Sequence, residues 1–127
     1  MTIAGKGAHM TRTPRDAGLE PARTHHLESL VGVAEGAVVS RVLMKNAGGS
    51  VTLFAFDEGQ FLSEHTAPFD AMVQLLDGAL KVTIDGSPHQ LGGGDAILMP
   101  ADVPHALQAD APSRMLLVML REPRGEA

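Results

Sequence analysis

Two histidines occupy the settings in this chain best suited to chemistry. His65 lies within Ser-Glu-His-Thr-Ala-Pro, and His105 within Pro-Ala-Asp-Val-Pro-His-Ala-Leu. The first segment, 59–78, runs between two glycines and holds Pro68, and the second, 94–109, opens on Gly94 and holds Pro100 and Pro104, so each imidazole is expected on a short strand flanked by turns. An imidazole can ligate a metal, move a proton near neutral pH or hydrogen-bond an organic guest. Ser63 stands two residues before His65, and on a regular strand it shares the same face. His89 follows Pro88 after an Asp-Gly turn and reads as a hairpin surface residue. His25 and His26 are adjacent, so their side chains point apart and do not chelate together. Gly92-Gly93-Gly94 lacks the Lys-Ser/Thr pair and following helix of a phosphate loop, and no Gly-x-Ser-x-Gly elbow occurs.

Composition narrows the classes. At 127 residues the chain suits one domain, and such a domain buries roughly two thirds of its unfolded surface. With no cysteine, disulfides, thiolate nucleophiles and Cys-based zinc sites are excluded. That composition, with no bilayer-length apolar run and no secretory start, predicts a cytoplasmic protein with no membrane partner. Net charge is −5, and nine acids face only Lys45 and Lys81 between Leu43 and Asp110. A surface of that sign repels phosphate backbones, which argues against a nucleic-acid partner. Tyr and Trp are absent, and the four Phe, from Phe54 to Phe69, read mainly as core with a share in lining an apolar pocket. The seven methionines read as pliable core filler.

The elements that must position the histidines are strands. Short β-like runs are predicted at 27–33, 37–45, 50–56, 60–66, 70–76, 79–84, 88–91, 95–99, 105–109 and 114–121. Asn46-Ala-Gly-Gly, Asp57-Glu-Gly, Asp77-Gly78, Asp85-Gly86 and Gly92-Gly-Gly-Asp punctuate them, several with dipeptides that favour tight hairpins. Leu80-Lys-Val-Thr-Ile-Asp alternates apolar and polar residues, as a strand with one wet face does. The last run, 114–121, is apolar throughout and is expected to be covered on both faces, in part by a second subunit. So many short strands need closure to avoid exposed edges, which predicts an all-β sandwich or barrel. Residues 1–26 show no apolar periodicity and are expected to form a flexible arm, before a barrel at 27–122 and a tail at 123–127.

In register, the two histidine segments resemble the paired motifs of the cupin family. The first motif is Gly, five residues, His-x-His, three or four residues, Glu, six residues, Gly. Gly59, His65 and Gly78 match it, while Ala67 and Ala71 stand where the second His and the Glu belong. The second motif is Gly, five residues, Pro-x-Gly, two residues, His, three residues, Asn. Gly94, Pro100 and His105 match, while Asp102 and Ala109 replace the Gly and Asn. The resemblance implies an antiparallel jelly-roll β-barrel, with a homodimer built through the arm and last strand. It further implies an interior site for a small-molecule ligand near His65 and His105, with Ser63, Gln74 and Phe54 as further contacts. A divalent transition metal (Fe, Mn, Ni, Cu or Zn) on His65 and His105 belongs to the same expectation. Gln74, Gln108, Asp70 and Glu64 are the helper donors for it, with Asp70 preferred to Glu64. A metal-dependent enzyme of the dioxygenase, isomerase or decarboxylase kind, and a non-catalytic structural or regulatory dimer, are the alternatives. The two alanines leave the cavity roomier and less polar, which suits an organic guest.

Overall fold

Turn chemistry cuts the chain into strands at the places the glycines mark. The computed structural model describes Met10–Arg12 and residues 18–121. Ten strands are present among them: β1 Met10–Arg12, β2 Val38–Asn46, β3 Gly49–Phe56, β4 Phe61–His65, β5 Asp70–Asp77, β6 Ala79–Ile84, β7 Ser87–Gly92, β8 Ala96–Met99, β9 His105–Ala109 and β10 Ser113–Leu120. Asp85 and Gly86, both at positive φ (51° and 83°), make the two-residue turn between β6 and β7. The motif glycines Gly59, Gly78 and Gly94 also take positive φ, and Asp102, in place of a motif glycine, takes φ 64°. Aspartate is one of the few side chains that tolerate that region, so the turn survives the replacement.

Two sheets face each other. One has the order β1-β2-β3-β10-β5-β8, the other β4-β9-β6-β7. All pairings are antiparallel except the short edge contact of β1 with β2, which is parallel. The fold is all-β, as the turn pattern predicts, and is the jelly-roll barrel that the cupin resemblance implies. Between the sheets lies the main core, with Phe54, Phe56, Leu75, Leu80, Val82 and Met115 all but inaccessible to solvent. The rings of Phe54 and Phe56 stack there, with centroids 6.2 Å apart.

The predicted strand at 27–33 does not form. Leu27–Ser29 is a 3-10 turn, and the chain beyond it crosses the outer face of the six-stranded sheet. Leu27, Leu30, Val31 and Val33 pack there on Leu43, Leu53 and Ala55, forming a second, smaller core. Their spacing serves packing on a sheet surface, and side chains replace strand pairing for the backbone. Arg114 Nε donates to the Val31 carbonyl at 3.0 Å, and Arg114 Nη1 donates to Asp77 Oδ2 at 3.0 Å. This cover explains why Leu53, Phe54, Ala55 and Phe56 are buried without alternation: both faces of β3 are dry. It also covers Leu116 of β10 from within the chain, where a second subunit was expected.

The segment expected to be a flexible arm is structured in its described part. Met10–Arg12 pairs with Val38–Ser40, and Leu19 N–H donates to the Leu43 carbonyl at 2.9 Å. The rest of residues 1–17 and the tail lie outside the described residues.

Two motif glycines make a matched test. A Cβ on Gly78 would run into the Ser113 hydroxyl and the Pro112 carbonyl, whereas one on Gly59 would meet open space. Gly59→Ala is expected to cost about 1 kcal/mol of stability from backbone strain alone. Gly78→Ala is expected to cost roughly 3 kcal/mol or more, because overpacking adds to the strain. Urea unfolding midpoints of the two variants check the difference.

Candidate functional site

His65 and His105 are brought face to face by the pairing of β4 with β9. Leu62 stands opposite Leu107 and His65 opposite His105, so β4 spends one more residue than β9 between these pairs. That extra residue is a β-bulge, and it shifts the side-chain alternation of β4. Leu62 and His65, three positions apart, therefore line the same cavity. Ser63 is turned out with Glu64 into a shallow surface depression beside Lys81, Thr83 and Gln108. The face shared by Ser63 and His65 on a regular strand is thus lost.

The two rings meet edge to face, with centroids 4.4 Å apart and planes at 70°. His65 Nδ1 lies 2.7 Å from the Ser63 carbonyl, and His105 Nδ1 lies 3.1 Å from the Val103 carbonyl. A carbonyl only accepts, so each neutral ring carries its proton on Nδ1 and leaves the Nε2 lone pair free. His105 is buried while His65 sits at the exposed end of its strand. Burial holds the His105 pKa below the usual imidazole value, and the nearby His65 lowers it further, against a rise from the Val103 carbonyl. His105 is consequently a neutral acceptor at physiological pH.

Beneath the pair is a cavity of about 290 Å³. Its walls are mostly apolar: Leu62, Leu107, Met99, Met115 and Leu117, with Ala71 where the family motif has glutamate. Ala67, at the position of the second motif histidine, also lines it. Thr66, Pro68, Phe69, Met119 and Arg121 complete the wall.

The other expected site residues lie elsewhere. Phe54 faces inward but is packed into the core and does not reach the cavity. Gln74 alternates with the inward Val73 and Leu75, so it points away from the cavity, between Leu116 and Ala96 of the neighbouring strands. Asp70 is exposed and its Oδ1 accepts from the Ala101 N–H at 2.9 Å. Glu64 and Gln108 lie in the outer depression with Ser63. His89 is exposed on β7, and His25 Nε2 meets the Glu20 carbonyl at 3.0 Å. Among the described residues no group of three or more His, Asp or Glu side chains is placed to hold a metal ion. Two imidazole donors fall short of the three or four that retain a resident transition metal. The expected helper ligands do not fit that role.

Arg121, Met115 and Met119 were not anticipated. Their signal was present: Met115, Leu117, Met119 and Arg121 stand at two-residue steps on one face of the last strand.

A two-sheet jelly-roll barrel with paired histidines over an apolar interior cavity defines the class of protein. The family model described as "Cupin domain" matches residues 52–120, and the chain belongs to the cupin family. A conserved protein of unknown function from Streptococcus pyogenes is 35% identical, with TM-score 0.80 over 84% of this chain and 93% of that one. A Cupin 2 conserved barrel domain protein from Leptotrichia buccalis is also 35% identical, with TM-score 0.72, the match covering 74% of this chain and 46% of that one. A cupin superfamily protein from Desulfitobacterium hafniense is 28% identical, with TM-score 0.79 over 85% of this chain and 99% of that one. No curated protein matches the chain by sequence. No helix among the described residues is long and apolar enough to cross a membrane.

The depressed His105 pKa sets a pH dependence. Below pH about 6.5 the unfolded chain takes up a proton that the folded chain refuses, so folding stability falls as pH falls. The fall levels off once His105 in the folded state is also protonated. Thermal midpoints of the wild type are expected to decline between about pH 7 and 5, and His105→Gln, though less stable throughout, is expected to show a shallower decline. Parallel slopes in the two proteins would remove His105 as the source.

Proposed function

We propose that this cupin barrel binds a small organic molecule in the cavity beneath His65 and His105. One observation carries the reading: both Nδ1 atoms are engaged by backbone carbonyls, so two free Nε2 acceptors stand together on one mostly apolar hollow. A cavity of about 290 Å³ is at the low end for ligand pockets, which suits a guest much smaller than a nucleotide. The guest would turn a hydrogen-bond donor toward the imidazoles and its apolar body toward the methionine and leucine side chains. Purified protein is expected to carry well below one transition metal per chain by elemental analysis, because only two protein donors are available. In a thermal-shift panel of small acids, amides and alcohols, a binder at a hundred times its Kd should stabilise the fold by about 2.7 kcal/mol. The combined His65→Ala and His105→Ala variant should lose that stabilisation. Stabilisation that persists in the double variant would move the site off this cavity.

We also propose a homodimer through the outer face of the six-stranded sheet. Its support is a continuous apolar row, each residue in register with the next: Met44, Val51, Val118, Met72 and Leu98. Met44, Met72 and Leu98 are 64%, 37% and 58% exposed, a stripe that a second copy would cover by two-fold symmetry. Light scattering at micromolar concentration is expected to give twice the chain mass, and Leu98→Glu to give the monomer. A monomeric wild type would refute the assembly.

A further inference from the structure

The cavity has a cation on the wall that faces the histidines. His65 and His105 come from the four-stranded sheet, whereas Arg121 immediately follows β10 of the six-stranded sheet. Facing sheets stand about 10 Å apart, so a small guest can touch both walls. Arg121 is solvent-exposed and lines the cavity two residues on from Met119, and its backbone N–H donates to the Gly48 carbonyl at 2.8 Å. Its guanidinium carbon lies 5.8 Å from the centre of the Phe69 ring. The aromatic face holds the guanidinium by a cation–π contact and leaves its N–H edges available. Among the described residues the two ion pairs are Arg23 with Glu20 and Arg114 with Asp77, so Arg121 lines the cavity with no carboxylate partner there.

We infer that the cavity selects a small monocarboxylate with an apolar body and a hydrogen-bond donor at its far end. The inference rests on the reading that this cavity is the binding site. Two parallel N–H groups of one guanidinium match the two oxygens of a carboxylate, and a single arginine neutralises that one charge. A phosphate monoester brings a second charge, and no second arginine or lysine lines the cavity to meet it. Met99, Met115 and Met119 offer polarisable thioethers to the body of the guest, a surface that accepts flat aromatic and flexible aliphatic groups alike. The neutral His105 Nε2 accepts from the far end, so the site is polar at both poles and apolar between. With net charge −5, the rest of the protein gives an anion little reason to bind elsewhere.

The test uses 4-hydroxyphenylacetate, 6-hydroxyhexanoate and para-hydroxybenzoate, each against its own primary amide. Binding is read from the methyl NMR signals of Met99, Met115 and Met119 and from calorimetry. The acids are expected to bind about tenfold more tightly than their amides. Arg121→Gln should erase that preference by weakening the acids alone, and Arg121→Lys should restore part of it. Acids and amides that bind the wild type equally, or a preference that survives Arg121→Gln, would overturn the inference while leaving the cavity as the site. If no probe moves the three methyl signals, both the inference and the cavity reading fail.

Discussion

The site depends on one irregularity in strand pairing. Between the Leu62–Leu107 pair and the His65–His105 pair, β4 contains one residue more than β9. Without it, the two-residue alternation of β4 would send His65 to the opposite face from Leu62, and the imidazoles could not share a cavity wall. With it, the rings meet at 4.4 Å, and each reaches back to a carbonyl two residues earlier in the chain. The bulge thus sets the direction of His65, and the two carbonyls set the tautomers. The same displacement expels Ser63 and Glu64, so it also sets which polar groups the interior does without.

What remains inside is a hollow with acceptors at one wall and few polar groups beyond them. Alanine at positions 67 and 71 removes an imidazole and a carboxylate from the family pattern, and nothing else in the described chain replaces them. The energetic consequence runs in two directions. A metal loses the donors that would hold it against competing chelators. An apolar guest gains volume and avoids displacing well-hydrated charges. His105 fits the second environment, since its depressed pKa keeps it uncharged where burial penalises charge.

Outside the barrel, the chain divides the exposed surface of its larger sheet into two zones. Residues 27–33 cover Leu53, Ala55 and Leu116, anchored through Arg114 to the Val31 carbonyl. The row from Met44 to Leu98 is left open, across five strands of that sheet. Covering one half intramolecularly lets β3 and β10 be apolar on both faces without exposing a patch too large for a stable soluble fold.

Much of this was legible before any fold was seen. The glycines at 59, 78 and 94 and the Asp85-Gly86 pair encode backbone conformations that few other residues adopt, so the turn positions follow from local chemistry. The spacing of His65 and His105 within those turns marked the two imidazoles. Residues 27–33 misled because an apolar run reads alike whether it pairs as a strand or lies across a sheet; only the carbonyl partners on Arg114 and Arg41 decide. Ser63 was misplaced because face assignment counts by twos along a regular strand, and the bulge in β4 breaks that count. Phe54 lies in the core between the sheets, whereas Phe69, in the loop from β4 to β5, lines the cavity beside Arg121. Local sequence fixes where the backbone turns and which side chains can do chemistry; which of them meet in one hollow is decided by long-range pairing, because strand register is a property of two segments at once.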